Sequence, residues 1–127
     1  MSNRILVVGA GHAAGQVSAS LVQHAYDGEI VLVGNEPYLP YQRPPLSKKF
    51  LAGEMPAERL YVKPQSFYDK AGIELRLGTH VDALDRAAKR VQTSGGDSIA
   101  YDKLVLALGS RVRRLSVDGV DLDGVHY

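Results

Sequence analysis

The chain contains no cysteine and no tryptophan, only two phenylalanines, and almost no net charge, with 15 Lys and Arg against 14 Asp and Glu in 127 residues. Each absence excludes something. Without cysteine there are no disulfides, no thiolate zinc sites, no iron–sulfur cluster and no cysteine nucleophile. A formal charge of +1 gives no field that would draw nucleic acid or an acidic membrane. No apolar run approaches the ~20 residues of a membrane span. The opening Met1-Ser2-Asn3-Arg4 is followed by an apolar stretch that meets Gly9 too soon for a signal peptide. These features point to a cytoplasmic protein that binds neither nucleic acid nor membrane. The four histidines, at 12, 24, 80 and 126, lie far apart and show no metal-ligand spacing.

What is present is ordinary globular material: 45% hydrophobic and 23% charged residues, in a length that suits one domain and leaves little room for a second. Residues 4–8 (RILVV) read as a buried strand broken by Gly9-Ala10-Gly11. A helix is expected from Ala13 to about Ala25, with Ala14, Val17, Leu21, Val22 and Ala25 on one face and Asp27-Gly28 as its stop. Residues 29–33 (EIVLV) form a second buried strand, which makes a βαβ unit with a right-handed crossover. Residues 35–45 (NEPYLPYQRPP) hold four of the six prolines and read as ordered loop. Ser47 can cap a short helix through about Leu51. A further helix is expected over residues 64–71, with Gly72 as its stop, then a strand at 73–77. Residues 81–85, 90–93 and 98–101 suggest an antiparallel meander, and 103–108 (KLVLAL) a fourth buried strand ended by Gly109. The fold class is therefore α/β: a doubly wound, Rossmann-like arrangement with a parallel sheet and a small antiparallel β-meander insertion.

The chemistry sits in Gly9-Ala10-Gly11-His12-Ala13-Ala14, which matches G-x-G-x-x-G/A directly after a strand and before a helix. Gly9 permits the turn. Gly11 lets a pyrophosphate approach the backbone, Ala14 lets the helix pack closely on the strand, and the helix N-terminus offers free N–H groups to the phosphates. An acidic residue belongs near the end of the next strand. Glu36 lies 22 residues beyond Ala14, close to the ~20 expected, and it or Asn35 can accept from ribose hydroxyls. The fingerprint alone does not choose between NAD and FAD.

Three strings together make that choice: the glycine fingerprint, residues 38–48 with Arg43-Pro44-Pro45-Leu46-Ser47-Lys48 at their end, and Tyr101-Asp102-Lys103-Leu104-Val105-Leu106-Ala107-Leu108-Gly109. With these the chain resembles the FAD-dependent ferredoxin reductase family, which takes in putidaredoxin and rubredoxin reductases and the reductase components of aromatic-ring dioxygenases. The resemblance runs from about Arg4 to Tyr127. It implies an NAD(P)H oxidoreductase that passes hydride-derived electrons through FAD to a ferredoxin or rubredoxin.

The same resemblance assigns the backbone around Gly9, Gly11, His12 and Ala13 to the FAD pyrophosphate. Glu36 goes to the ribose, with Asn35 as a neutral partner where relatives usually carry Asp. Arg43 and Lys48 go to the region of pyrophosphate and flavin, Val81 to backbone contacts with adenine, and Ala107 and Gly109 to a turn close to FAD. Leu108 stands there where relatives have Thr. Lys48 is the expected catalytic residue, since a cation near the N1/O2 side of a flavin stabilises its reduced form. Related disulfide reductases carry a redox cysteine pair after the second strand. This chain has none, so electrons must leave to an external acceptor.

Relatives interrupt their FAD domain with an NAD(P)H domain that has its own fingerprint. Residues 1–110 are accordingly expected to be the first segment of the FAD domain, and 111–127 a linker toward an NAD(P)H-binding domain that the chain does not contain. Two other readings remain: a non-catalytic dinucleotide-binding module or inert fragment unable to oxidise NADH alone, and a plain NAD dehydrogenase domain.

Overall fold

The computed structural model describes residues 3–127. The elements run β1 (Ile5–Val8), α1 (His12–Gln23), β2 (Ile30–Val33), two short 3-10 turns (Pro44–Ser47 and Ala57–Leu60), α2 (Gln65–Ala71), β3 (Glu74–Arg76), β4 (Val81–Asp85), β5 (Arg90–Thr93), β6 (Ser98–Ala100) and β7 (Lys103–Leu106). A four-stranded sheet has the order β3-β2-β1-β7, with every pair parallel. The meander β4-β5-β6 forms a separate antiparallel sheet of three strands.

Why the two central strands read as continuous apolar runs follows from what covers them. Side chains alternate across a sheet. Ile5, Val7, Ile30 and Leu32 point to one face and join Ala14 of α1 and Tyr68 of α2 in one core cluster. Leu6, Val8, Val31 and Val33 point to the other and meet Val91 and Ile99 of the meander. All four residues of β1 and all four of β2 are buried.

The Rossmann-like α/β reading with a meander holds, but its doubly wound form does not. Both helices lie on one face, and the meander takes the face where a second layer of helices would sit. The meander is more than an insertion, since its buried Val91 and Ile99 cover Leu6, Val8, Val31 and Val33 in the second core cluster.

Three local expectations need correcting. First, α1 stops at Gln23, and Ala25 lies outside it in the left-handed region at φ 52°. The amide of Tyr26 donates to Leu21 and that of Ala25 to Val22, so the helix closes with a Schellman motif that uses alanine where glycine is usual. Second, Ser47 ends a tight turn rather than opening a helix. Pro44 and Pro45 have φ preset for the first positions of that turn, and Lys48 leaves it at φ −128°, ψ −111°. Third, the strand expected at 103–108 ends at Leu106 and is not buried. It is an edge strand with one neighbour, and Leu106 is 57% exposed.

Candidate functional site

The chain moves from β1 outward through β2 to β3, then returns to the other side of β1 as β7. The order therefore reverses at β1, and in open parallel sheets a crevice forms beyond the carboxyl ends of the strands at such a point. Three strand ends meet there: Gly9 after β1, Gly34-Asn35-Glu36 after β2, and Ala107-Leu108-Gly109 after β7. They are tied by backbone bonds, Gly9 N–H to Val33 C=O at 2.7 Å and Ala107 N–H to Val8 C=O at 2.8 Å.

Two glycines make this approach possible. Gly9 has φ +111°, and a Cβ on it would fall 2.0 Å from the Ala107 carbonyl oxygen. A Cβ on Gly34 would fall 2.2 Å from the Cβ of Ala10. Gly11 differs from both. Its φ is −89°, open to any residue, and a Cβ there would meet no atom within 4 Å. Nothing among the described residues requires glycine at 11. The space in front of it does, if a ligand is to approach the backbone.

Beyond these ends lie two adjoining clefts of ≈ 250 Å³ and ≈ 460 Å³, the second within the usual range of small-molecule sites. They share Gly9, Glu36, Arg43, Leu108 and Gly109 as walls. The first reaches His12 and Ala13 at the start of α1. No side chain caps that helix end, and its first turn carries no acidic residue. Its free N–H groups and positive dipole end suit an anion. The second cleft runs on to Thr79, His80, Val81 and Arg111.

Glu36 accepts two side-chain hydrogen bonds at the junction. Its Oε2 accepts from the Tyr41 hydroxyl at 2.7 Å, and its Oε1 accepts from Arg43 Nη2 at 3.1 Å. The Arg43 guanidinium lies 5.7 Å from the centre of the Tyr41 ring. Burial and then the neighbouring carboxylate push the Tyr41 phenol above its ordinary pKa. The loop that carries Tyr41 and Arg43 is held by a β-bridge between Tyr41 and Tyr61, with Gln42 N–H donating to Leu60 C=O and Val62 N–H to Pro40 C=O. Pro40 is itself buried against α1 at Gly15, where a Cβ would approach within 2.8 Å.

Of the residues assigned from sequence, Gly9, Gly11, His12, Ala13, Asn35, Glu36, Arg43, Val81, Ala107 and Gly109 all line the clefts. Ala14 is fully buried behind them, where its small side chain lets α1 lie on the sheet. Lys48 is outside both clefts. It is exposed, and its Nζ donates to the Pro44 carbonyl at 3.3 Å. Sequence reasoning missed Gly34, Thr79, His80 and Ser110. Only Gly34, a glycine directly at a strand end, carried a local signal. Arg111 lines the second cleft, while Arg114 lies over the Tyr127 ring at 5.0 Å. Among the described residues no group of His, Asp and Glu can hold a metal ion, and no helix is long and apolar enough to cross a membrane.

The residues present fit an adenine dinucleotide. The uncapped helix end and the open position at Gly11 suit a pyrophosphate, and a fixed carboxylate beyond β2 suits a ribose. Comparison with known proteins agrees with that reading. The family model described as pyridine nucleotide-disulphide oxidoreductase matches residues 3–127. A probable ferredoxin reductase of Castellaniella defragrans is 46% identical over 125 residues, covering 98% of this chain and 31% of its own length. Rubredoxin-NAD(+) reductase of Pseudomonas putida is 42% identical over 123 residues, covering 97% of this chain and 32% of its own length. The crystal structure of the ferredoxin reductase for the CYP199A2 system of Rhodopseudomonas palustris superimposes with a TM-score of 0.89 at 40% identity, over 98% of this chain and 30% of that one. The chain thus spans about a third of the length of the relatives it matches.

Proposed function

The chain belongs to the pyridine nucleotide-disulphide oxidoreductase family, and on that footing we propose that its 127 residues are the first FAD-holding segment of a cytoplasmic NAD(P)H:ferredoxin or rubredoxin oxidoreductase. The observation that carries the proposal is the meeting of three strand ends at one crevice, with a position that only a ligand requires to be glycine, Gly11, opposite a preset carboxylate, Glu36.

In this reading the N–H groups at His12 and Ala13 hold the pyrophosphate, with Arg43 beside them as a cation. Glu36, with Asn35 next to it, accepts from the ribose hydroxyls. The backbone at Val81 serves the adenine, and the turn at Ala107 and Gly109 closes the crevice on the β7 side. Bound FAD supplies the step between two-electron hydride chemistry and single-electron transfer, which no side chain of this protein can perform. The residues that surround it bind, orient and exclude water.

Lys48 is assigned to the flavin end as the cation that favours the reduced ring. Its side chain is exposed and, among the described residues, bonded only to Pro44 and Ser47, so turning it toward the crevice breaks no buried contact. Residues 1–110 make up the FAD segment, and 111–127 lead away from it. A cysteine-free chain cannot take the flavin's electrons onto its own disulfide. The names of the relatives make a small iron–sulfur protein or rubredoxin the acceptor.

The test is to express the complete reading frame and record its visible spectrum. A flavin spectrum with maxima that bleach on adding NADH or NADPH is expected. A colourless protein that FAD does not reconstitute sinks the proposal. NADH-dependent dye reduction by the isolated 127 residues would favour a different arrangement, since they contain a single nucleotide fingerprint.

A further inference from the structure

We propose that Tyr41 is a positioning residue for the dinucleotide site: its hydroxyl holds one oxygen of Glu36 and so keeps Glu36 and Arg43 from closing on each other. The inference rests on the FAD assignment above. Carboxylate and guanidinium groups frequently pair through two parallel hydrogen bonds. Here they form one. Arg43 Nη2 donates to Oε1 at 3.1 Å, and Oε2 is taken by the Tyr41 hydroxyl at 2.7 Å. The remaining N–H groups of Arg43 and the remaining lone pairs of Glu36 stay available at the junction of the two clefts.

The three groups are not equally fixed. Glu36 and Arg43 are substantially exposed, with side-chain exposures of 39% and 61%. Left to themselves they would move among rotamers or pair fully. Tyr41 is anchored from both sides, by the bridge to Tyr61 and by buried Pro40 before it. It is the one member of the cluster whose position the fold dictates, and it passes that position to Glu36. Immobilising one long side chain in advance is worth about 2- to 10-fold in affinity.

The experiment is a double-mutant cycle on the protein expressed from the complete reading frame. The apoproteins of wild type, Tyr41→Phe, Glu36→Ala and the double variant are titrated with FAD by flavin fluorescence, and each apoprotein is melted. Tyr41→Phe keeps the ring and its packing. It is expected to weaken FAD binding by about 2- to 10-fold in the wild-type background and to change nothing in the Glu36→Ala background, with the apoprotein melting temperature unmoved. An equal loss in both backgrounds overturns the proposal, because a packing role does not depend on Glu36. Unchanged affinity in Tyr41→Phe, with wild type binding FAD tightly, overturns it while leaving the assigned function intact. Absence of FAD binding by wild type overturns the function and this inference with it.

Discussion

β1 and β7 lie side by side in the same sheet, in register from Ile5 opposite Lys103 to Val8 opposite Leu106. Their sequences, ILVV and KLVL, differ in the first position, where β7 carries a lysine, and match closely in hydrophobicity over the other three. Yet every residue of β1 is buried, while the ends of β7 are exposed and its middle is half-buried. The difference is position. β1 has a strand on either side, helices over one face and the meander over the other. β7 has a single neighbour, and the cover on both faces thins out toward it, with Leu104 touching only the edge of one cluster and Val105 the edge of the other. Apolar sequence states what a strand can bury. What is stacked on it decides what it does bury.

The largest effect expected from that comparison is on stability. Leu6 is fully buried, and Leu6→Ala should cost about 3–5 kcal/mol in urea unfolding. Leu106, at 57% exposure and two positions beyond Leu104, the partner of Leu6, should cost no more than ~0.5 kcal/mol when cut to Ala in the same 127 residues. A loss above ~1 kcal/mol at Leu106 would break the comparison by showing that its face is covered.

The next effect separates the two glycines of the fingerprint. Gly9→Ala places a Cβ 2.0 Å from the Ala107 carbonyl at φ +111°, so β1 and β7 must part at their ends. A loss of roughly 2–4 kcal/mol is expected from strain and overpacking together. Gly11→Ala meets no atom and needs no unusual φ. It should lower stability by no more than ~1 kcal/mol, as for other changes at a helix N-cap, while abolishing FAD binding. Denaturant midpoints and an FAD titration on both variants check this. Equal stability losses would mean that Gly11 is structural and that the ligand argument built on it is wrong.

This contrast also shows where the sequence could be read and where it could not. The βαβ unit, the fingerprint, Glu36 at its spacing and the meander all follow from neighbours in the chain. Local periodicity and turn chemistry report those. The burial of β7 does not, because KLVL carries the same pattern whether it is central or at an edge. The end of α1 is not legible either, because alanine, a strong helix former, sits at the left-handed position 25 and the tertiary bond from the Tyr26 hydroxyl to Asn3 C=O follows it. The hydrogen bonds that Tyr41 and Arg43 make to Glu36 were likewise out of reach. They depend on residues 40–42 pairing with 60–62, a long-range contact between two irregular segments with no pattern to announce it.

The smallest effect concerns the helix-covered face beneath β1 and β2. Tyr68 of α2 is fully buried there, its ring edge-on to Phe67 at 5.2 Å, and among the described residues its hydroxyl finds no hydrogen-bond partner. A buried hydroxyl without a partner carries a desolvation penalty that folding does not recover. Tyr68→Phe removes the oxygen and keeps the ring, so at pH 8 it should leave stability unchanged or raise it by about 1 kcal/mol. Burial also pushes the phenol from its ordinary 10 up to about 12. The sign of the pH dependence follows. Below pH 10 folded and unfolded chains both keep this proton, and it contributes no slope. From pH 10 upward the unfolded chain releases it while the folded chain holds it until about 12, so stability falls as pH rises through that window. Tyr26 and Tyr41 are shifted in the same direction, so wild type should lose stability to several phenols, and Tyr68→Phe should remove only its own share of the fall. Urea midpoints at pH 8 and pH 11 for the two proteins measure both quantities. A Tyr68→Phe variant that is less stable at pH 8 by more than ~1 kcal/mol would mean that the hydroxyl has a partner after all, a buried water bridging it to the core.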